Sequence, residues 1–287
     1  MAATADPEPR DWARLELPPT WADELDLGSV RGLRRFFRIL RGKRRPVELP
    51  PGMPGADLIP NYVRQEFHNL PNGNYSRKIT RGYSKGFDIS MLGVMRRLRR
   101  RMAKDLLAAP GRDGLLDVGT GSGRLAAAIH ARGGRDVWGL DPSPYLLQHA
   151  ARSHPEVRFV QGLAEDLPFA DERFCGIGVC FVLHEMPPKQ VRAALREMHR
   201  TLRPAGRLVI VEPSPEQLQP WRLTDVLPLR GWRRVYYRAL ARRVFEPFVP
   251  AWHKLDKVDL LRAAGFEVLD DVHGMPTCRW VARKPSC

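Results

Sequence analysis

Leu115-Leu116-Asp117-Val118-Gly119-Thr120-Gly121-Ser122-Gly123-Arg124-Leu125-Ala126 decides how the rest of this chain is read. Leu115 to Val118 is long enough for a short buried strand. The alternating glycines after it let backbone pass close to a ligand. Leu125, Ala126 and Ile129 then recur at helical spacing. A strand, a glycine-rich turn and a helix start form the unit that places a ligand at the carboxyl end of a strand in open α/β sheets.

Downstream, strands and helices alternate. Val137–Leu140 reads as a strand ending at Asp141, and Pro142 suits the first turn of the helix that follows. Val157–Val160 is a third strand. Phe174–Phe181 is a fourth, apolar almost throughout, as expected in the middle of a parallel sheet. Pro188–Leu202 carries Val191, Leu195, Met198 and Leu202 on one helical face, and Arg203-Pro204-Ala205-Gly206 ends it. Arg207–Glu212 is a fifth strand. After an interruption at 213–253, a helix at Lys257–Ala264 leads to a closing hairpin of Phe266–Val272 and Arg279–Ala282.

Upstream the chain changes character several times. Residues 1–28 carry scattered prolines and acids and read as a loosely ordered arm. Eight basic residues and no acid fall between Arg31 and Arg45, with Leu33, Phe36, Phe37 and Leu40 at helical spacing. Such a helix can lie on an anionic membrane, or pack its apolar side on the domain as an ordinary surface helix. Four prolines make 46–57 a linker. Residues 58–90 hold many aromatics among turn formers, including His68, Tyr75 and Tyr83, and suit either a lid over the site or a structural loop. A basic helix at Ile89–Leu107 leads into the glycine-rich strand. The division expected is therefore 1–57 as an arginine-rich extension and linker, 58–110 as a lid and lead-in, and 111–287 as the ligand-binding domain, with 213–253 inserted on the substrate side.

The 287 residues carry 47 basic and 32 acidic side chains, a formal charge of +15. That balance suits an anionic partner, and a solvated arginine-rich surface accounts for it equally. The four cysteines show no Cys-x-x-Cys spacing, so no metal site is expected and a reducing compartment is the default. Met1–Arg10 lacks the basic and apolar regions of a secretory leader, and no apolar run is long enough to cross a bilayer. A cytoplasmic location is expected, peripheral at the membrane if the 31–45 helix docks there.

Three features converge on one small-molecule site: the Gly119–Gly123 turn, Asp141 at the end of the next strand, and Ala164-Glu165-Asp166 after the third strand. The turn offers free backbone N–H groups, and Asp141 can accept both hydroxyls of a ribose. Gly121 to Ala126 formally matches the dinucleotide pattern G-x-G-x-x-A. Asp117 argues against a dinucleotide, because a carboxylate inside the strand suits a cationic ligand group better than a pyrophosphate. It can equally cap the turn.

These stretches resemble the class I S-adenosylmethionine-dependent methyltransferases, nearest the type-11 domain group that includes the ubiquinone and menaquinone C-methyltransferases. The resemblance covers about 115–211. It rests on Leu-Asp-Val-Gly-Thr-Gly-Ser-Gly at 116–123, Gly-Leu-Asp-Pro-Ser at 139–143, Ala-Glu-Asp-Leu-Pro-Phe at 164–169, Phe-Val-Leu-His-Glu-Met at 181–186 and Leu-Arg-Pro-Ala-Gly-Arg-Leu at 202–208. It departs at Phe174-Cys175, where the family usually has Phe-Asp.

The resemblance implies a Rossmann-like, doubly wound seven-stranded α/β sheet with a reversed last strand, and S-adenosylmethionine as cofactor. It implies that Asp117, Gly119, Thr120, Gly121, Ser122 and Gly123 hold the aminoacyl end. Asp141 and Pro142 would take the ribose, Ala164 and Glu165 the adenine, and Cys180 and Phe181 would lie beside the cofactor. His184, Glu185 and Tyr83 are the candidates to act on the acceptor, with His68 and Tyr75 near them. The acceptor expected is small and hydrophobic: a lipid, quinone or other metabolite. Nucleic acid is the weaker reading, because neither an Asn/Asp-Pro-Pro-Tyr motif nor a Pro-Cys nucleophile occurs. An RNA or protein methyltransferase and a non-catalytic binding module are the alternatives. Oligomeric state has no signal in the sequence.

Overall fold

The computed structural model describes residues 6–8, 10–220 and 231–286. Its sheet, among the described residues, has seven strands in the order β3-β2-β1-β4-β5-β7-β6. They are β1 (Asp113–Val118), β2 (Arg135–Asp141), β3 (Arg158–Gln161), β4 (Phe174–Cys180), β5 (Leu202–Pro213), β6 (Glu267–Val272) and β7 (Thr277–Arg283). The first five pair in parallel, and β7 runs antiparallel to both β5 and β6. The expected doubly wound sheet with a reversed last strand is therefore the fold observed. β4 sits at its centre, and every residue from Phe174 to Val179 is buried.

Side-chain alternation along the strands divides the core into two layers. On one face Leu116, Val118, Ile177, Val179, Leu208 and Ile210 pack with α6 (Pro188–Thr201) and α9 (Lys257–Ala263). On the other, Leu115, Val137, Phe159, Val209 and Val281 pack with α3 (Val94–Leu106), α4 (Arg124–His130) and α5 (Pro144–Ser153). Covering both faces is what permits near-continuous apolar strands. Helix α6 ends where expected. The Arg203–Gly206 stretch after it is drawn into the start of β5, turning at Ala205 (φ 61°), whose N–H donates to the Lys284 carbonyl.

The N-terminal segments differ from expectation. The described part of the arm, instead of being loosely ordered, is an extended strap over α5. Trp12 is 4% exposed, and its Nε1 donates to the Phe159 carbonyl at 2.9 Å. Tyr145 Oη donates to the Pro18 carbonyl, and Leu17, Ala22 and Leu25 are buried. Prolines remove the periodicity that would reveal such a segment, yet its few apolar side chains reach the core. Nor is 46–57 a free linker. Val47 and Met53 pack with Ile59, Tyr75 and Tyr145, and the Gly55 carbonyl accepts from Gln161 Nε2.

The arginine-rich stretch forms α1 (Val30–Arg41), with Ser29 Oγ capping its N-terminus. Within the polar-aromatic segment, α2 (Arg77–Ser90) is a full helix capped by Ser76. Gly82 and Gly86 disguise it in the sequence. The single helix expected at Ile89–Leu107 is broken by a turn with Leu92 (φ 51°) and Gly93 (φ 72°), and α3 follows it. The inserted segment contributes α7 (Gly231–Ala241) and α8 (Val249–Lys254). Its residues 221–230, Trp221 included, lie outside the described residues, as does Cys287. Much of its aromatic content is internal packing: Tyr237 and Trp252 are buried, and Tyr236 and Tyr237 donate to the Ser90 and Met91 carbonyls.

The strap makes a measurable contribution. Trp12→Ala removes a buried indole and its hydrogen bond, with an expected loss of about 3–5 kcal/mol. Urea unfolding of the two proteins, compared at equal slope, reads that difference.

Candidate functional site

The turn after β1 is built around two buried carboxylates. Asp117 Oδ2 accepts from Thr120 Oγ1 at 2.7 Å and from the Ala126 N–H at 3.1 Å. It therefore ties the strand to the turn and to the helix behind it. The Thr120 N–H donates to the Leu140 carbonyl, which joins the turn to the end of β2. There Asp141 Oδ2 accepts from the Gly121 N–H and Oδ1 from the Ser143 N–H, both at 2.9 Å. Gly119 (φ 66°) and Gly121 (φ 54°) supply the left-handed backbone this needs. A Cβ on Gly119 would lie 2.3 Å from Val182 Cγ2, whereas one on Gly121 would meet nothing within 4 Å. Burial pushes both Asp117 and Asp141 up to about 7, against the opposing pull of their hydrogen bonds.

Both acids open on a cavity of about 170 Å³. Gly119, Thr120, Gly121, Ser122, Pro142, Ala164, Cys180 and Phe181 also line it, together with Tyr75, Tyr83 and Glu185. Most of the residues singled out from the sequence thus meet around one space. His68, Gly123, Glu165, Asp166 and His184 do not line it. Gly123 lies beneath the turn, where a Cβ would be 2.9 Å from the Phe159 ring, so its role is close packing of helix on strand. Glu165 stands one layer back, with Oε1 accepting from Tyr62 Oη at 2.6 Å; it is Tyr62 that reaches the cavity. His184 is fully buried, with Nδ1 held 2.5 Å from Glu212 Oε2. The left-handed backbone at Phe181 (φ 61°) precedes the short turn at Leu183–Glu185, and Phe181 and Glu185 reach the cavity while His184 does not.

Sequence reasoning missed Arg99 and Arg124, which line the same cavity and are both paired with Asp88. Arg124 follows the glycine turn directly, and that adjacency was the available signal. Cys180 stays a neutral thiol, pushed up to about 12 by burial.

A second cavity, about 440 Å³ and mostly apolar, adjoins the first. Tyr83, Phe87 and Phe181 belong to both linings. The Phe87 and Phe181 rings meet edge to face at 5.4 Å, and Tyr83 stacks obliquely between Phe87 and His68. Leu27, Phe36, Leu70, Ile79, Met91, Leu240 and Val244 form most of the apolar part of the remaining wall.

At the junction sits a cluster of polar groups from distant parts of the chain. Glu212 Oε1 accepts from the Val182 and Leu183 N–H groups, so one fully buried carboxylate holds both that loop and His184. His68 Nε2 lies 3.2 Å from Glu185 Oε1 and 3.3 Å from Glu246 Oε1. His184 Nε2 lies 3.7 Å from the same Glu246 oxygen. The clamp bringing Glu246 in is local: the His68 N–H donates to the Phe245 carbonyl, the Phe245 N–H donates to Asn69 Oδ1, and Asn69 Nδ2 donates to the Arg243 carbonyl. Burial opposes a charge on either imidazole. The facing carboxylates outweigh it, so His184 is raised well above its ordinary value and His68 is raised too. Glu185 is raised by burial. Glu246 is lowered, because the attraction of His184 and His68 outweighs burial. Neither Glu212 nor Glu246 carries any local sequence signal.

Comparison with known proteins agrees with this geometry. Residues 115–206 match a family model described as a methyltransferase domain. An uncharacterized methyltransferase of Synechocystis is 36% identical over 121 residues, covering 42% of this chain and 56% of the relative. A demethylmenaquinone methyltransferase of Beutenbergia cavernae is 38% identical over 149 residues, covering 52% of this chain and 59% of the relative. The chain thus spans just over half the length of the curated relatives it matches. Among solved structures, the methyltransferase crystallised with the Trm112 activator of Haloferax volcanii superposes with a TM-score of 0.50 at 19% identity, over 71% of this chain and 96% of that one, and shares its fold. Residues 115–206, set in this seven-stranded sheet with its reversed last strand, thus match a methyltransferase domain.

Proposed function

We propose that this chain transfers a methyl group from S-adenosylmethionine to a small, hydrophobic, quinone-type acceptor. The observation that carries the reading is the pair of adjoining cavities, one polar and acid-lined, the other apolar, sharing the wall of Tyr83, Phe87 and Phe181. The donor set of the first cavity fits the cofactor. Asp141 accepts one N–H on each carboxylate oxygen and retains lone pairs for a ribose diol. Asp117 supplies negative charge for the ammonium end beside Gly119–Ser122, while Arg99 and Arg124 face the cofactor's carboxylate. Ala164, backed by Glu165 and Tyr62, borders the adenine.

S-adenosylmethionine brings an already activated methyl group, so this chain's work is proximity, alignment and exclusion of water. Tyr83, Phe181 and Glu185 stand where the two cavities meet and would align the acceptor with the methyl. His184 shapes that junction from behind rather than touching the acceptor. The name of the B. cavernae relative suggests the quinone class, and the apolar second cavity suits a ring carrying a hydrocarbon tail.

The same reading gives α1 a role. Val30 (69% exposed), Leu33 (40%) and Phe37 (53%) form an outward apolar row among Arg31, Arg34, Arg38 and Arg41, while Phe36 lines the second cavity. We propose that this helix rests on an anionic bilayer and receives the acceptor there. No helix among the described residues is long and apolar enough to cross a membrane.

The decisive assay supplies labelled S-adenosylmethionine and a demethylated prenyl naphthoquinol to the full chain. Label in the quinone is expected; a protein that binds the cofactor but leaves the quinol unlabelled overturns the acceptor class. Asp141→Ala should weaken cofactor binding about 10- to 100-fold, the equivalent of losing hydrogen bonds to a charged group. Since Asp117 and Asp141 titrate at about 7 in the free protein and the cationic cofactor takes their ionised forms, affinity should fall as pH drops below 7. The fall approaches about tenfold per pH unit for each group that must ionise. Calorimetry from pH 5.5 to 7.5 measures it, and a flat profile sinks the assignment. On phosphatidylglycerol vesicles, the Leu33→Ser/Phe37→Ser double variant should sediment at least about tenfold less, from the apolar burial forfeited.

A further inference from the structure

We propose that His68, His184, Glu185 and Glu246 bind one divalent transition-metal ion at the junction of the two cavities. The nearest potential ligand atoms of His68, His184 and Glu185 all lie within 4.8 Å of one another. Glu246 Oε1 completes the set, 3.3 Å from His68 Nε2 and 3.7 Å from His184 Nε2, while Glu185 Oε1 is 3.2 Å from His68 Nε2. Four ligands about 2.1 Å from a tetrahedral ion are separated from one another by about 3.4 Å. Three of the six separations among the four atoms straddle that value.

The surroundings are those of a ligand set. A metal-bound imidazole ordinarily gives its other nitrogen to an oxygen that fixes its tautomer. Here His184 Nδ1 is held by Glu212 at 2.5 Å, and His68 Nδ1 lies 3.3 Å from Tyr83 Oη. That leaves both Nε2 atoms facing the cluster. His184 Nε2 is fully buried and has no hydrogen-bond partner. A buried polar atom without a partner is costly, and an ion is the occupant that answers it. His68 is also held in a left-handed backbone conformation (φ 56°, ψ 21°) that a non-glycine residue adopts at a cost, pinned by Phe245 and Asn69. Three carboxylates, those of Glu185, Glu212 and Glu246, meet two mostly buried imidazoles; a divalent ion with neutral imidazoles leaves a single net negative charge there.

Two imidazole nitrogens with two carboxylate oxygens suit Zn²⁺, Co²⁺, Mn²⁺ or Fe²⁺ and disfavour Mg²⁺, which prefers oxygen ligands alone. The sequence gives no spacing signal because the ligands come from three segments that are distant along the chain. Glu185 lines the first cavity, and His68 and Glu246 line the second. An ion held by them would lie between the two cavities and tie their shared wall to the flanking segments.

The test uses the full chain, stripped with a chelator and titrated with Co²⁺ and then Zn²⁺. One equivalent of Co²⁺ should bind with the intense visible absorption of a four-coordinate ion, and Zn²⁺ should abolish that spectrum. His68→Ala and Glu246→Gln should each weaken Zn²⁺ binding more than about 100-fold; Glu212→Gln, which keeps all four ligands, should weaken it about 10- to 100-fold. Retained S-adenosylmethionine binding in the variants shows that the fold and the first cavity are intact. Absence of saturable binding at one equivalent in the unaltered protein overturns the proposal, as does binding that His68→Ala and Glu246→Gln leave unchanged; the cluster is then a network of ion pairs alone.

Discussion

A carboxylate inside a parallel strand must be partnered, and this requirement at Asp117 sets the geometry of the site. Charged hydrogen bonds of this kind contribute about 1.5–3 kcal/mol each, and an unpartnered buried charge costs more. Asp117 finds Thr120 and the Ala126 N–H, and both lie in the turn that must close over it. Thr120 fits only because residue 139, on the neighbouring strand, is glycine: a Cβ there would sit 2.8 Å from its hydroxyl. Once Thr120 is seated, its N–H reaches Leu140 and the Gly121 N–H reaches Asp141. The mouth of the first cavity follows from pairing one acid.

Glu212 does the equivalent for the far side. It lies near the buried end of β5, one residue past Val211, which pairs with Cys180 at the end of β4 in the parallel register. Its position lets one carboxylate collect the two N–H groups of the loop leaving β4 and the His184 ring. That loop then delivers Phe181 and Glu185 to the cavity. The two acids stand on β1 and β5, the strands on either side of the central β4, so the site is anchored where the sheet is most deeply buried.

How much of this is readable in the sequence depends on whether the signal is local. The strands from β1 to β5 are readable because burial on both faces demands nearly continuous apolar runs. Asp117, the glycine turn and Asp141 are readable because each function needs a particular residue type at a particular strand end. Asp117 bonds the turn, one of the two roles its position suggests, and it also lines the first cavity. The strap at 10–28 is not readable, because Trp12, Leu17 and Leu25 are placed by an extended path without a period. Helix α2 is hidden by Gly82 and Gly86, whose missing side chains belong to the wall of the second cavity. His184 follows the fourth strand, where the sequence makes it a candidate to act on the acceptor, but a left-handed residue three positions earlier and an acid 28 positions later decide that it is buried.

The two cavities also divide the chain by origin. Apart from residues of the 62–99 segment, the wall of the first comes from within 115–206, the stretch that matches the methyltransferase family. Apart from Phe181, the described wall of the second comes from 27–91 and 213–246, outside that match. These flanking segments hold one another through Asn69, Phe245, Tyr236 and Tyr237, chiefly by bonds to backbone carbonyls. Backbone bonds do not specify the side chains between them, so the second cavity can be reshaped by substitution while the segments keep their positions. The first cavity has no such freedom, because its shape is tied to the pairing of Asp117 inside the sheet. On the proposed reading, a division of this kind would let one cofactor site serve different acceptors, with identity set by the flanking segments and chemistry by the sheet.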